Sequence, residues 1–110
     1  MATESTQAYD PDEPTRDEVD HMQGPVLLNF GTDWCGYCRA VAPQLNEQLK
    51  AHPEVRHIKV EDGKGKPLGR SFRVKLWPTL VFLRDGRVVR QVSRPDVEEV
   101  RRGLVEITEA

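Results

Sequence analysis

The chain has 110 residues, of which 37% are apolar and 31% are charged, and its formal net charge is −2. This length and apolar share are typical of one compact domain and argue against a multidomain, disordered or collagen-like chain. The longest apolar run falls far short of the roughly 20 residues that cross a bilayer, so we expect no membrane partner.

The amino-terminal segment is acidic. Residues 1–20 carry seven acidic residues and one basic residue, and they contain no apolar signal-peptide core. We predict a flexible acidic arm over residues 1–13 and one domain over residues 14–110, although residues 7–9 could add an edge strand. The lack of an export signal predicts a cytoplasmic protein, and a reducing compartment favours chemistry or metal binding for its two cysteines.

The first part of the domain predicts a helix and then a buried strand. Thr15 and Glu18 match a capping box for a short helix, which Gly24 and Pro25 end. The nearly continuous apolar run 26–30 predicts a strand that is buried on both faces.

The middle of the chain predicts a long helix, a strand and a short helix. Apolar residues at a spacing of four predict a long helix over 35–52, kinked at Pro43. Residues 55–61 alternate as a strand does, and 68–72 predict a short helix.

The last third of the chain predicts a hairpin and a helix. Strands over 79–83 and 87–92 flank Asp85-Gly86, a strong signal for a two-residue turn. Pro95 fits the first turn of a final helix with one apolar face. The whole order predicts an α/β fold, in which a central mixed β-sheet is flanked by helices on both faces.

The two cysteines lie where the first buried strand gives way to the long helix. Unpaired amides and the helix dipole favour an anion at this position, and a thiolate is such an anion. Cys38 follows Cys35 by about one helical turn, within disulfide reach, and we expect its sulfur to be the more buried. We therefore predict thiol–disulfide exchange without a cofactor, with Cys35 as the nucleophile and Cys38 as the resolving thiol.

The residues that flank the cysteines suit the docking of a polypeptide. Gly36 would let the turn close tightly, and Trp34 and Tyr37 would present flat apolar surface beside the sulfurs. Ordinary packing at the rim of the site is the alternative interpretation for Tyr37 and Trp77.

These motifs together resemble the thioredoxin family. The resemblance covers roughly residues 14–108 and rests on the following strings: Trp34-Cys35-Gly36-Tyr37-Cys38, then Pro43, Trp77-Pro78-Thr79 and Asp85-Gly86. It implies the thioredoxin fold and reduction of protein disulfides, with a disulfide reductase or a small thiol as electron donor. It also implies that Pro78 is cis against the cysteines and that the backbone of Trp77 pairs with an extended substrate.

Asn29 departs from this family, which usually has a buried aspartate here to accept the proton of the resolving thiol. An amide cannot accept that proton, so we expect Cys38 to lose it to water or to Asp33, in a slower resolving step. Without a buried negative charge, the Cys35 thiolate should form more easily. Lys59 matches a lysine that neighbours the missing acid, and we expect it to turn outward or to alter the electrostatics of the site. A loop or cap role is the alternative for Asp33.

The Gly-Tyr dipeptide between the cysteines is a second departure. It resembles the motif of periplasmic disulfide isomerases, but this sequence has neither their dimerisation region nor their export signal. A disulfide isomerase or oxidase is therefore one alternative function. Another is a redox-sensing module that binds one client and uses the cysteine pair as a latch. We expect a monomer.

Other chemistries fit the sequence less well. A zinc site needs two ligands besides the cysteines, and the three histidines lack the necessary spacing, although a metal shared across a dimer stays an alternative, as does an inert disulfide. The basic residues are scattered and aromatic residues are few, so we expect no nucleic-acid partner. The glycines at 63, 65 and 69 miss the spacing of a phosphate-binding loop.

Overall fold

The computed structural model describes residues 8–109. Its elements, in chain order, are α1 (Arg16–Asp20), β1 (Pro25–Gly31), α2 (Gly36–Leu49), β2 (Arg56–Glu61), α3 (Pro67–Ser71), β3 (Thr79–Arg84), β4 (Arg87–Ser93) and α4 (Val97–Thr108). The predicted alternation of helices and strands is confirmed. Among these helices none is both long enough and apolar enough to cross a membrane.

The strands form one mixed sheet in the order β2-β1-β3-β4. β1 pairs with β2 in parallel and with β3 antiparallel, and β3 and β4 form the predicted hairpin. Asp85 and Gly86 close this hairpin with φ angles of 53° and 79°. Both angles are positive, as a two-residue turn between twisted strands requires.

Each face of the sheet carries its own apolar core. The cluster on one face is built from β-strand residues together with α1 and α3, and the cluster on the other face packs against α2 and α4. Because successive side chains of a strand point to opposite faces, Leu28 and Phe30 lie in the first cluster and Leu27 in the second. Asn29, two residues after Leu27, therefore lies on the face that α2 covers. Burial of β1 on both faces is confirmed.

The helix ends follow their capping residues. The Thr15 side chain caps α1 as predicted, with Glu18 completing the capping box. The prediction that Pro95 lies in the first turn of the last helix is wrong, because Asp96 is the N-cap of α4 and the helix begins at Val97. The long helix is also shorter than predicted, since Cys35 is its cap and it ends at Leu49.

Residues 8–13 pack against the rest of the domain. Asp10 bridges to Val60 of β2, donating its backbone N–H to the Lys59 carbonyl oxygen over 3.0 Å and accepting from the Glu61 N–H over 2.9 Å. Tyr9 is buried, with 6% of its surface exposed. The prediction of a flexible arm is therefore wrong for Tyr9 and Asp10, because a main-chain bridge and a buried ring hold them. It stays a prediction for residues 1–7, which lie outside the described residues.

Candidate active site

The two cysteines lie at the junction of β1 and α2. Cys35 is the N-cap residue of α2, and its Sγ accepts a hydrogen bond from the Cys38 backbone N–H over 3.2 Å. Both thiols are free and buried, with exposed fractions of 8% for Cys35 and 4% for Cys38, so the predicted order of burial is confirmed by a small margin. A sulfur that accepts an amide at a helix N-terminus lies where negative charge is stabilised.

Cys38 differs chemically from Cys35. Burial raises the pKa of the Cys38 thiol to about 11, and its hydrogen bond with Cys35 adds to the rise. Hydrogen bonds from the Thr32 backbone and the Tyr9 hydroxyl act in the opposite direction. Cys38 is therefore protonated at neutral pH and has to lose its proton before it can attack another sulfur.

An aromatic rim surrounds the cysteines. Trp34 is 72% exposed and Tyr37 is 56% exposed, and the Trp34 ring meets the Trp77 ring edge to face, with centroids 5.6 Å apart. The guanidinium of Arg94 lies 3.7 Å above the Tyr37 ring centroid and donates from Nε to the Trp77 carbonyl oxygen over 2.9 Å. Arg94 thus links two predicted contact residues, and no local pattern in the sequence indicated it.

The Trp77–Pro78 peptide bond is cis, as the resemblance implied. The Cys35 thiol lies 3.9 Å from the Trp77 carbonyl oxygen, so this segment rests against the nucleophile position. The Trp77 indole N–H donates to Asp62 Oδ2 over 2.8 Å, which holds the ring in its orientation. Asp62 directly follows β2 and was not among the site residues predicted from the sequence.

Gly36 is the first residue of α2, and a Cβ built on it would meet no atom within 4 Å. Space for a side chain is therefore available at this position, and the role of Gly36 in closing the turn stays a prediction. A role for Gly36 in contacting substrate stays a prediction.

Comparison with known proteins assigns this arrangement of cysteines to a family. A family model described as Thioredoxin matches residues 8–105. The chain belongs to the thioredoxin family. It is therefore a thiol–disulfide oxidoreductase, and its redox-active group is the Cys35–Cys38 pair.

Individual relatives support the same assignment. Thioredoxin Asp f 28 of Aspergillus fumigatus is 33% identical, over 77% of this chain and 80% of that protein. Thioredoxin H-type 1 of Nicotiana tabacum is 35% identical, over 73% of this chain and 64% of that protein. The structure of thioredoxin 2 from Pseudomonas aeruginosa PAO1 in its reduced form is 51% identical, with a TM-score of 0.83 over 93% of this chain and 95% of that one.

Asn29 occupies the position at which the resemblance to thioredoxins predicts an aspartate. It is buried, and both polar atoms of its side-chain amide have a partner. Its Oδ1 accepts a hydrogen bond from the Tyr9 hydroxyl over 2.9 Å, and its Nδ2 lies 3.3 Å from His57 Nε2. Burial, together with the nearby charge of Lys59, lowers the pKa of His57 to about 4, so the imidazole is neutral at neutral pH. Nε2 can then accept a hydrogen bond from the amide.

Gly31 makes room for this network. A Cβ built on Gly31 would lie 2.5 Å from Cys38 Sγ and 2.9 Å from both the ring and the hydroxyl oxygen of Tyr9. Tyr9 and His57 were not among the site residues predicted from the sequence. For Tyr9 one signal was available, since it is the only aromatic residue in the acidic segment before residue 14.

Lys59 and Asp33 both approach Tyr9. Lys59 Nζ lies 4.4 Å from the Tyr9 ring centroid and the side chain is buried, so the expectation that it turns outward is wrong. Burial lowers the pKa of Lys59, and the charges of Asp33 and Cys38 oppose this shift. Asp33 Oδ1 accepts the Tyr9 backbone N–H over 3.0 Å, which supports its interpretation as a loop residue that anchors the amino-terminal segment.

A cavity of about 420 Å³ opens beside Cys38. Tyr9, Asp33, Cys38 and Lys59 line it together with residues of α2. Solvent can therefore approach the resolving cysteine through this cavity. Within residues 8–109, no group of three or more His, Cys, Asp or Glu side chains is arranged to hold a metal ion.

Proposed function

We propose that this thioredoxin-family protein reduces disulfide bonds of other proteins, with Cys35 as the nucleophile and Cys38 as the resolving thiol. The observation that carries the proposal is the asymmetry of the pair. Cys35 Sγ accepts an amide hydrogen bond at the start of α2, whereas burial keeps Cys38 protonated.

The exchange proceeds in two steps. The Cys35 thiolate attacks one sulfur of the substrate disulfide, and the other substrate sulfur leaves as a thiolate that takes a proton from solvent. Cys38 then loses its proton to solvent and attacks Cys35 Sγ, which releases the second substrate sulfur. Two electrons pass to the substrate, and the protein is left with a Cys35–Cys38 disulfide.

The aromatic rim is the surface on which we place the substrate. Trp34 and Tyr37 expose large apolar areas beside the cysteines, and Leu76 extends this surface with 46% of its area exposed. Rigid aromatic side chains of this kind are enriched where polypeptides dock. Trp77 and Pro78 bound the same surface next to Cys35.

A disulfide reductase or a small thiol would return the pair to its reduced state, and we infer that the protein works as a cytoplasmic monomer. Both of its cysteines belong to the exchanging pair, so the chain carries no separate structural disulfide of the kind an oxidising compartment favours. Cell fractionation and analytical ultracentrifugation test the two inferences separately.

Turnover tests the proposed function. With dithiothreitol as reductant, the wild-type protein should reduce many equivalents of a disulfide-bonded model protein, and Cys35→Ser should abolish this activity. Cys38→Ser should instead accumulate mixed disulfides through Cys35, and mass spectrometry of the trapped proteins would identify the substrates. A single stoichiometric oxidation with one tightly bound client would contradict the proposal and favour the redox latch.

A further inference from the structure

The resolving step poses a specific chemical problem in this protein. Cys38 is buried, its pKa is raised to about 11, and the amide of Asn29 cannot accept its proton. A thiolate that forms at such a site needs another source of stabilisation. The question is which group within reach of Cys38 Sγ supplies it.

Tyr9 lies beside the sulfur. Its side chain packs with Cys35 and Cys38 in one buried cluster, and its hydroxyl donates to Asn29 Oδ1 over 2.9 Å. Gly31 permits this approach, because any larger residue there would displace both the sulfur and the phenol ring. The hydroxyl therefore lies between the resolving thiol and the residue that replaces the expected acid.

We propose that the Tyr9 hydroxyl compensates for the missing carboxylate by donating a hydrogen bond to the Cys38 thiolate as it forms. Tyr9 would thus be a further catalytic residue of the exchange reaction, contributed by the segment that precedes the first helix. The inference rests on the roles proposed above for Cys35 and Cys38.

The Tyr9 hydroxyl changes its hydrogen-bond partner during the step. In the resting dithiol, the Tyr9 O–H donates to Asn29 Oδ1. When the Cys38 proton leaves to water in the adjoining cavity, the hydroxyl rotates and donates to the thiolate instead. The thiolate then attacks Cys35 Sγ, and the departing substrate thiolate is protonated by solvent. Hydrogen bonds to an ionised acceptor are roughly twice as strong as neutral ones.

The phenol acts as a donor and not as a base. Burial and the nearby cysteine charges raise the pKa of Tyr9 well above its usual range, so it keeps its proton throughout. The other charged groups that face this region are Lys59, whose ammonium lies over the Tyr9 ring, and Asp33, which binds the Tyr9 backbone. The positive charge of Lys59 also favours the Cys38 thiolate.

His57 and Asn29 prepare the hydroxyl for this role. A neutral His57 accepts at Nε2, which turns the amide nitrogen of Asn29 toward it and leaves Oδ1 facing Tyr9. In the resting state the hydroxyl therefore points at a weak neutral acceptor. Transfer of its hydrogen bond to a thiolate exchanges a weaker partner for a stronger one.

A chromogenic aryl disulfide separates the two steps. When one equivalent is mixed with reduced protein, attack by Cys35 releases the first aryl thiolate and attack by Cys38 releases the second. In Tyr9→Phe, the rate of the second release should fall about tenfold relative to the first, because a hydrogen bond to a charged acceptor is lost. The pH dependence of the second release should move upward by about one unit.

Two further variants complete the test. Thr108→Val removes a hydroxyl that donates to the Leu104 and Val105 carbonyl oxygens within α4, and it should leave the ratio of the two rates unchanged. Replacing Tyr9 by ortho-fluorotyrosine makes the phenol a stronger donor while keeping its packing, and the second release should then be faster than in the wild type.

The inference is overturned if Tyr9→Phe leaves the ratio of the second release rate to the first unchanged, whether or not both rates fall. A slower second release with fluorotyrosine would also overturn it. Absence of the first release from the wild-type protein would instead overturn the proposed roles of the two cysteines.

Discussion

Gly31 lies directly against Cys38, since a Cβ built on Gly31 would come within 2.5 Å of the Cys38 sulfur. We expect Gly31→Ala to destabilise the reduced protein by about 1–3 kcal/mol, because the sulfur and the Tyr9 ring would both have to shift. Urea-induced unfolding measures this change.

Gly36→Ala is the matched control for Gly31→Ala, because the same methyl group would enter open space at the start of a helix. Its effect on stability should be within about 1 kcal/mol. Equal stability of Gly31→Ala and the wild-type protein would contradict the described packing of Tyr9 and Cys38.

Asn29→Asp should change both steps of the exchange. A buried carboxylate can accept the Cys38 proton, so the second release from an aryl disulfide should become faster. The same negative charge opposes ionisation nearby, so the thiolate absorbance of Cys35 should develop at higher pH than in the wild type. The prediction fails if neither the ultraviolet thiolate titration nor turnover is altered. Asn46→Asp, at a half-buried residue of α2 that lines the cavity, is the control for an added acid outside the hydrogen-bond network of Asn29.

Much of the fold could be predicted from the sequence because its determinants are local. Thr15 caps its helix through a residue three positions away, and Asp85 and Gly86 form a turn whose positive φ angles suit these two residue types. The placement of Cys35 at the start of α2 is equally local, since strand and helix patterns meet there. The predicted mixed sheet followed from these elements and from the known geometry of their connections.

The part of the site beneath the cysteines could not be predicted in this way. Tyr9 reaches Cys38 only because Asp10 bridges to β2, and His57 reaches Asn29 only because β1 and β2 pair in parallel register. Neither pairing leaves a periodic signal at the residues concerned. The start of α4 was misjudged for a different reason, since Pro95 suits the first turn of a helix but Asp96 provides the cap.

His57 should make the protein sensitive to mild acid. Burial lowers its pKa to about 4, below its ordinary value of 6.5, so the folded state favours the neutral imidazole. The associated stability is fully present above pH 6.5 and is lost as the pH falls toward 4. We expect a loss of about 2–3 kcal/mol over this window from this residue. Unfolding free energies measured between these pH values check it.

The control for this acid effect is His57→Gln, which keeps an acceptor near Asn29 but does not titrate. The variant should show a shallower fall in stability over the same window. If the wild-type protein and His57→Gln lose stability in parallel, His57 is protonated in the folded state as easily as in the unfolded chain, and the prediction is wrong.

Cys38 should make the reduced protein less stable at alkaline pH. Its pKa is raised from 9.0 to about 11 by burial, so the folded state favours the neutral thiol. The stability that this provides to the reduced protein is present below pH 9 and is lost as the pH rises through about 11, by about 1–3 kcal/mol.

Two other forms of the protein are controls for this alkaline effect. The oxidised protein has no thiol to ionise and Cys38→Ser does not titrate in this range, so both should lack the stability loss that ionisation of Cys38 causes. Unfolding of the three forms under urea at several alkaline pH values measures the difference, and identical slopes would show that the Cys38 thiol ionises as readily in the fold as outside it.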